Sequence, residues 1–229
     1  MKKDYTDVDV LYQVIEAISS LGTKELLAKI DYIVTHITHA DSTGIYILDE
    51  KTNSVVLKAS KLHFDIVGKL KMKLGQGITG WVAQFGKTVV IEKDAPSDSR
   101  FVRIPQLPDD LFESFLSVPI KSNNVVVGVI NVKHKLPHIY PKSQVKLLEM
   151  IGKLVGRAVE QAMLLEKTKN LEEALQTQKV VNKAKGILIE KMNLSENDAY
   201  HTLRKQAMKK GKSMKEIAEA VITSSEITG

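Results

Sequence analysis

The chain has 229 residues, 43% of them hydrophobic and 26% charged; at roughly 150 residues per domain it has room for one sizeable core and a small companion, and disordered, collagenous and disulfide-stapled chains are excluded. It contains no cysteine, so disulfides, thiolate zinc sites, iron–sulfur clusters, a cysteine nucleophile and a thioether-linked chromophore are excluded too. Lysine and arginine outnumber aspartate and glutamate by 33 to 27, a formal +6, which matters only if the excess is concentrated somewhere.

Between Asp9 and Leu21 the residues Val10, Leu11, Val14, Ile15 and Ile18 recur at helical spacing, and Gly22 ends that segment. Thr23 is placed to cap a second helix with Leu26, Leu27, Ile30, Ile33, Val34 and Ile37 on one stripe. The period then changes to two. Ser42 to Asp49 reads as a strand with Gly44, Tyr46 and Leu48 on one face and Ile45 and Ile47 on the other, turning through Asp49–Asn53 into a partner at Ser54–Ser60. Glycines 75, 77 and 80 make a turn ahead of a short helix, and Lys87–Ile91 returns as a strand. Residues Asp94–Asp110, rich in Pro, Ser and Asp, form a loop long enough for a lid or binding segment. Ser114–Ile120 and Val125–Val132 are strands joined by Lys121-Ser122-Asn123-Asn124, and a long helix starts near Pro141 or Ser143.

This order predicts an α+β plan, an antiparallel sheet with flanking helices. Gly75-Gln76-Gly77-Ile78-Thr79-Gly80-Trp81-Val82-Ala83, with Ser117-Val118-Pro119-Ile120 and Gly128-Val129-Ile130-Asn131-Val132, resembles a GAF domain. The resemblance covers about Val8 to Leu165 and implies a sensory module for an unknown small-molecule or protein signal. The missing cysteine removes bilin attachment and thiol-based methionine sulfoxide reduction, and the Asn-Lys-Phe-Asp-Glu pattern of cyclic-nucleotide-binding members is not matched. Candidate pocket groups are Trp81, Arg100, Phe101, Ser117 and His134, with His63 beside them.

From Ser143 to Lys191 the helix breakers are Gly152, Gly156 and Gly186. Leu147, Ile151, Leu154, Ala158, Leu165, Leu171 and Leu175 approximate a coiled-coil seam; up to Ala158 they equally suit a helix packed on its own domain, whereas beyond Met163 the charged flanks favour a homodimeric coiled coil. Asn193-Leu194 breaks the helix, Ser195–Asp198 and Ser213–Glu216 have capping-box spacing, and Gly211 closes the helix between them. The result is a small all-α three-helix domain whose apolar faces are Val180, Ala184, Ile187, Leu188, Ala199, Leu203, Ala207, Met208, Ile217, Ala218, Val221 and Ile222. The expected division is 1–165 for the sensory domain and 166–229 for connector and three-helix domain.

The charge excess has an address. Lys183 to Lys215 holds nine basic and three acidic residues, a net +6 equal to the formal excess of the whole chain. That suits a polyanion, since neutralised phosphates release counterions; it equally suits solvated lysines on surface helices. Asn182-Lys183-Ala184-Lys185-Gly186-Ile187-Leu188-Ile189-Glu190, Ser195–Tyr200, Leu203-Arg204, Ala207-Met208, Glu216-Ile217-Ala218 and Val221-Ile222 closely resemble an ANTAR domain, the RNA-binding module of bacterial transcription antiterminators. The resemblance spans about Leu171 to Ile222 and implies an RNA face including Ala184, Lys185, Gly186, Tyr200, Arg204, Lys205 and Lys212.

Gly186 costs its helix roughly 1 kcal/mol against alanine and needs a reason, such as close approach of RNA or of a neighbouring helix. Lys185 could meet phosphate as a point charge, and Arg204 a phosphate or guanine edge, unless Arg204 pairs with Glu196 or Asp198. Tyr200 could stack on an unpaired base or pack between helices.

No P-loop, nucleophile elbow, His-Glu-x-x-His or other catalytic or metal constellation is present, and the Gly75–Gly80 run lacks the parallel strand–helix–strand context of a dinucleotide fold. No apolar run approaches the roughly 18 residues of a membrane span, and Met1-Lys2-Lys3-Asp4 leads into a polar stretch, so a cytoplasmic protein is expected. The reading is a non-enzymatic, signal-responsive antitermination regulator that binds RNA stem-loops. The alternatives are a helix-turn-helix DNA-binding regulator and a ligand-binding adaptor without nucleic acid.

Overall fold

The structure, a computed structural model, describes residues 6–20, 22–104 and 112–228. The chain divides into two compact units, Met1–Ala162 and Met163–Gly229, so the boundary falls slightly before the expected one.

In the first unit, helices α1 (Asp7–Ser20) and α2 (Thr23–Thr38) precede strands β1 (Ser42–Asp49), β2 (Ser54–Ala59) and β3 (Lys71–Lys73). Helix α3 (Gly77–Phe85) leads to β4 (Val89–Ile91), β5 (Ser114–Ser122), β6 (Val125–His134) and the long α4 (Lys142–Met192). The six strands form one antiparallel sheet in the order β3-β2-β1-β6-β5-β4. Asn123 and Asn124 both have positive φ, 47° and 67°, the requirement of the tight turn whose twist matches a β5–β6 hairpin.

Alternation sorts the sheet into two faces. Ile45, Leu116, Val118, Ile120, Ile130 and Val132 are fully buried on one of them. α2 lies over that face, where Thr43 donates to Asp31 Oδ1 at 2.7 Å. α4 lies there too, burying Leu148, Ile151, Val155 and Val159. It comes close because Gly152 and Gly156 stand one turn apart: an added Cβ would lie 2.7 Å from the Pro119 carbonyl oxygen and 2.1 Å from that of Lys121. The opposite face, with Tyr46, Leu57, Phe115 and Val129, packs against Ile78, Val82 and Ala83 of α3.

Three local expectations change. Thr23 begins α2 rather than capping it; Gly22 is the N-cap and no side chain bonds there. β3 is a strand the sequence reading missed, since three residues are too few to display a period. The expected loop 94–110 includes a turn of 3₁₀ helix at Ala95–Ser97, and its part from 105 onward lies outside the described residues.

The second unit contains the end of α4, α5 (Glu196–Lys210) and α6 (Met214–Thr228). The punctuation is as the spacing predicts. Ser195 Oγ accepts from the Asp198 amide, Gly211 takes φ 61° at the C-cap of α5, and Ser213 and Glu216 bond reciprocally at the start of α6. The core is Val181, Ala184, Leu188, Ala199, Leu203, Ala207, Ile217 and Ala218. Met208, expected there, is 77% exposed, because Ala199, Leu203 and Ala207 already define the buried stripe of α5 and Met208 falls a residue outside it.

Candidate nucleic-acid interface and sensor face

On the α3 side of the sheet, Ser117 and Asn131 are cross-strand partners, both buried. Ser117 Oγ donates to Asn131 Oδ1 at 2.7 Å and Asn131 Nδ2 donates to Thr79 Oγ1 at 2.7 Å. This chain pins the first turn of α3 to the centre of the sheet, and satisfied polar groups at such depth specify one arrangement of helix and strands. Trp81, two residues on, lies under the Arg100 guanidinium, 4.9 Å from its ring centroid. Asp98 grips Arg100 bidentately, Nε to Oδ1 at 2.8 Å and Nη2 to Oδ2 at 2.7 Å. The guanidinium holds the Asp98 carboxyl below the ordinary carboxylate range. Phe101 packs on the same core. Trp81, Arg100, Phe101 and Ser117 are thus brought to one side of the sheet.

His134 is not among them. Ser117 pairs with Asn131, whereas His134 pairs with Ser114 and belongs to the alternate face. There its ring stacks on His138 with centroids 3.8 Å apart, Nε2 donates to the Thr38 carbonyl at 3.2 Å and Nδ1 accepts from the Tyr140 hydroxyl at 3.1 Å. Burial, with His138 beside it, lowers its pKa. His63 lies in the segment after β2, its amide donating to Ser60 Oγ.

In the second unit, Lys185 of α4 donates to Glu196 Oε1 at 2.8 Å, tying α4 to the first turn of α5. Beside that pair runs a groove of about 670 Å³ whose walls include Thr177, Gln178, Asn182, Lys185 and Tyr200. Tyr200 is 43% exposed. Outside the stripe of Ala199, Leu203 and Ala207, α5 carries Arg204 and Lys205 one and two residues beyond Leu203 and then Lys209, while Lys210 follows that stripe at the exposed C-terminal end of the helix. These four cations are exposed and make no salt bridge with a described residue, while Lys183 pairs with Glu226 at 3.1 Å. Gly186 is exposed, and a Cβ there would meet nothing within 4 Å.

The family model described as GAF domain matches residues 23–160, more than half of the chain. The chain belongs to the GAF domain family. The ANTAR domain model matches residues 169–222, so the two domains follow in that order. The Nif-specific regulatory protein of Azospirillum lipoferum is 24% identical over 188 residues, 78% of this chain but only 30% of that protein's length. Transcriptional regulatory protein PdtaR of Mycobacterium tuberculosis is 34% identical over 84 residues, 37% of this chain and 41% of that protein. Among solved structures, the GAF domain of an Acinetobacter phosphoenolpyruvate-protein phosphotransferase superposes with TM-score 0.65 at 26% identity, covering 71% of this chain and 97% of that one. The free methionine-R-sulfoxide reductase of Neisseria meningitidis, solved with its substrate, gives TM-score 0.58 at 18% identity, covering 69% and 91%.

Within the ANTAR domain, one expected contact residue changes role. Ala184 is fully buried, packed with Leu188, Ala199 and Leu203, and offers no atom to a partner; its small size lets α5 approach α4. The alternative pairing of Arg204 with Glu196 or Asp198 is not made: the two acids precede it on α5 by eight and six residues, not three or four, and they bond instead to Lys185 and Ser195. In the GAF domain, sequence reasoning passed over Thr79, Asp98 and Asn131. Asn131 carried a signal, as a lone amide in the otherwise apolar run 125–132; Asp98 and Arg100 carried one as opposite charges two residues apart in a loop.

Proposed function

We propose that the chain is a signal-responsive, non-enzymatic transcription antitermination regulator whose ANTAR domain binds RNA stem-loops under control of its GAF domain. The observation that carries this reading is the exposed cations of α5 on the module that matches ANTAR: Arg204, Lys205 and Lys209 outside its buried stripe and Lys210 at its C-terminal end make no salt bridge with a described residue. Exposed cations on a rigid helix are what counterion release from a phosphate backbone requires. Gly186 supports it, since no described residue comes within 4 Å to explain a glycine there; its bare backbone leaves room for a partner to approach.

A signal at the GAF domain, on the sheet face that gathers Trp81, Arg100, Phe101 and Ser117, would act on α4, which is continuous from Lys142 to Met192. Leu164, Leu165, Leu171 and Leu175 of α4 are each more than half exposed. In a homodimeric coiled coil they would be covered, and two ANTAR domains would be presented together to paired stem-loops. Binding of an antiterminator hairpin would then exclude the competing terminator.

The test is competition between hairpin RNA and duplex DNA for the full chain. RNA preference is expected. A preference for duplex DNA would favour a helix-turn-helix regulator, and the absence of binding to either would favour a ligand-binding adaptor.

A further inference from the structure

We infer that the α4–α5 groove seats one unstacked nucleotide of the bound RNA, and that Glu196 keeps the place of its phosphate on Lys185 until RNA arrives. The inference rests on the RNA-binding reading above. Its first support is an asymmetry within one ion pair: the Lys185 side chain is only 17% exposed while that of Glu196 is 76% exposed. Most of the Lys185 side chain is covered, which fixes where its ammonium stands at the edge of the groove. Glu196 remains in water and leaves at little cost, and its pKa is lowered chiefly by the hydrogen bond from Lys185. A phosphate oxygen is an equivalent acceptor for an ammonium, and on leaving Lys185 the glutamate keeps its position in the first turn of α5, where a carboxylate is favoured anyway.

The second support is what surrounds Lys185. The groove lies within the range of small-molecule sites by volume, about 670 Å³. Val181 and Met214 give it apolar surface, Tyr200 an aromatic ring, and Gln178 and Asn182 amides that offer donor and acceptor side by side, while Glu173 adds a carboxylate that can accept from a base amino group. An aromatic face for stacking, amides for a base edge and a cation for phosphate are together the chemistry of single-strand recognition. They sit beside, not on, the cationic face of α5, so that face would track the stem while the groove takes a loop nucleotide.

The experiment uses the full chain and stem-loop RNAs selected on it from a pool randomised in the loop, with affinities measured between 50 and 200 mM salt. Glu196→Gln is expected to tighten binding about two- to fivefold, the range of an exposed ion pair. Glu190→Gln makes the same charge change on α4 away from the groove and is expected to give less. In the Lys185→Gln background the Glu196→Gln gain should fall to that of Glu190→Gln, and Lys185→Gln alone should reduce the salt slope by about one. Tyr200→Phe should retain affinity where Tyr200→Ala loses about fivefold or more. Circular dichroism of each variant reads folding separately.

Wild-type chain that binds no RNA would sink the RNA-binding reading and this inference with it. Wild-type binding with equal effects of Glu196→Gln and Glu190→Gln, or a Glu196→Gln gain that survives loss of Lys185 undiminished, would overturn this inference alone.

Discussion

Alanine at Gly156 and alanine at Gly186 of α4 should move stability in opposite directions. Both glycines lie in helical backbone, so each substitution gains about 0.5–1 kcal/mol of helix propensity. At Gly186 nothing within 4 Å opposes the new methyl group, and the gain should appear in full. At Gly156 the methyl carbon would lie 2.1 Å from the carbonyl oxygen of Lys121 and 2.4 Å from its carbonyl carbon, whereas ordinary contact begins near 3.4 Å. Both obstacles are backbone, so α4 and β5 must part by more than an ångström. A gap of that size forfeits about half or more of the dispersion energy at the contacts it opens, and overpacking of a tight core costs about 1–3 kcal/mol, at times more. Two backbone obstacles put the cost at the upper end of that range, about 3 kcal/mol, and subtracting the propensity gain leaves a net loss of about 2 kcal/mol. For a domain of this size that lowers Tm by about 4–8 °C, and the unfolding midpoint in urea should fall in step. Differential scanning calorimetry of the full chain resolves both substitutions. A Gly156→Ala variant as stable as the wild type would refute the close approach of α4 to β5. Gly186→Ala should melt a few degrees higher yet bind hairpin RNA about fivefold more weakly, near 1 kcal/mol, because its methyl group intrudes on the partner.

Ala184→Leu should unfold the three-helix unit at ambient temperature or destabilise it by about 1–3 kcal/mol, abolishing RNA binding indirectly; retained stability, read by circular dichroism, would contradict the burial of Ala184. Arg204→Gln and Lys205→Gln should each leave the melting temperature within about 1 °C and lower the salt slope of RNA binding by about one, measured by fluorescence anisotropy. Leu171→Ser combined with Leu175→Ser should convert a dimer to a monomer in light scattering, and an unchanged mass would remove the coiled coil. Because the His134 pKa is lowered in the fold, the unfolded chain binds its proton more readily. The stabilisation is therefore complete above about pH 6.5 and is lost as pH falls through the lowered value, a limb that His134→Gln should flatten in urea titrations.

Much of this arrangement could be read locally. Met208 is such a case, since the stripe through Ala199, Leu203 and Ala207 already excludes it. The side of His134 relative to Asn131 follows from counting alternate residues along β6, but its separation from Ser117 does not: an unbroken hairpin from Asn123-Asn124 would pair Ser117 with Ile130, on the face of His134, and the register shift between Ile120 and Lys121 moves Ser117 to Asn131. Other features were out of reach: Thr79 and Asn131 are far apart in sequence and nothing local announces their bond, and Lys185 and Glu196 belong to different helices.

The two glycines of α4 separate what each level decides. Sequence determined where helices begin and end, where the period changes from helix to strand, and where positive charge collects, because caps, periodicity and charge act over a few residues. It marked Gly156 and Gly186 alike, as costs in a helix. Only the tertiary structure told them apart, one pressed on the backbone of β5 and the other facing open space, because steric exclusion acts between whatever atoms the fold brings together, however far apart they lie along the chain.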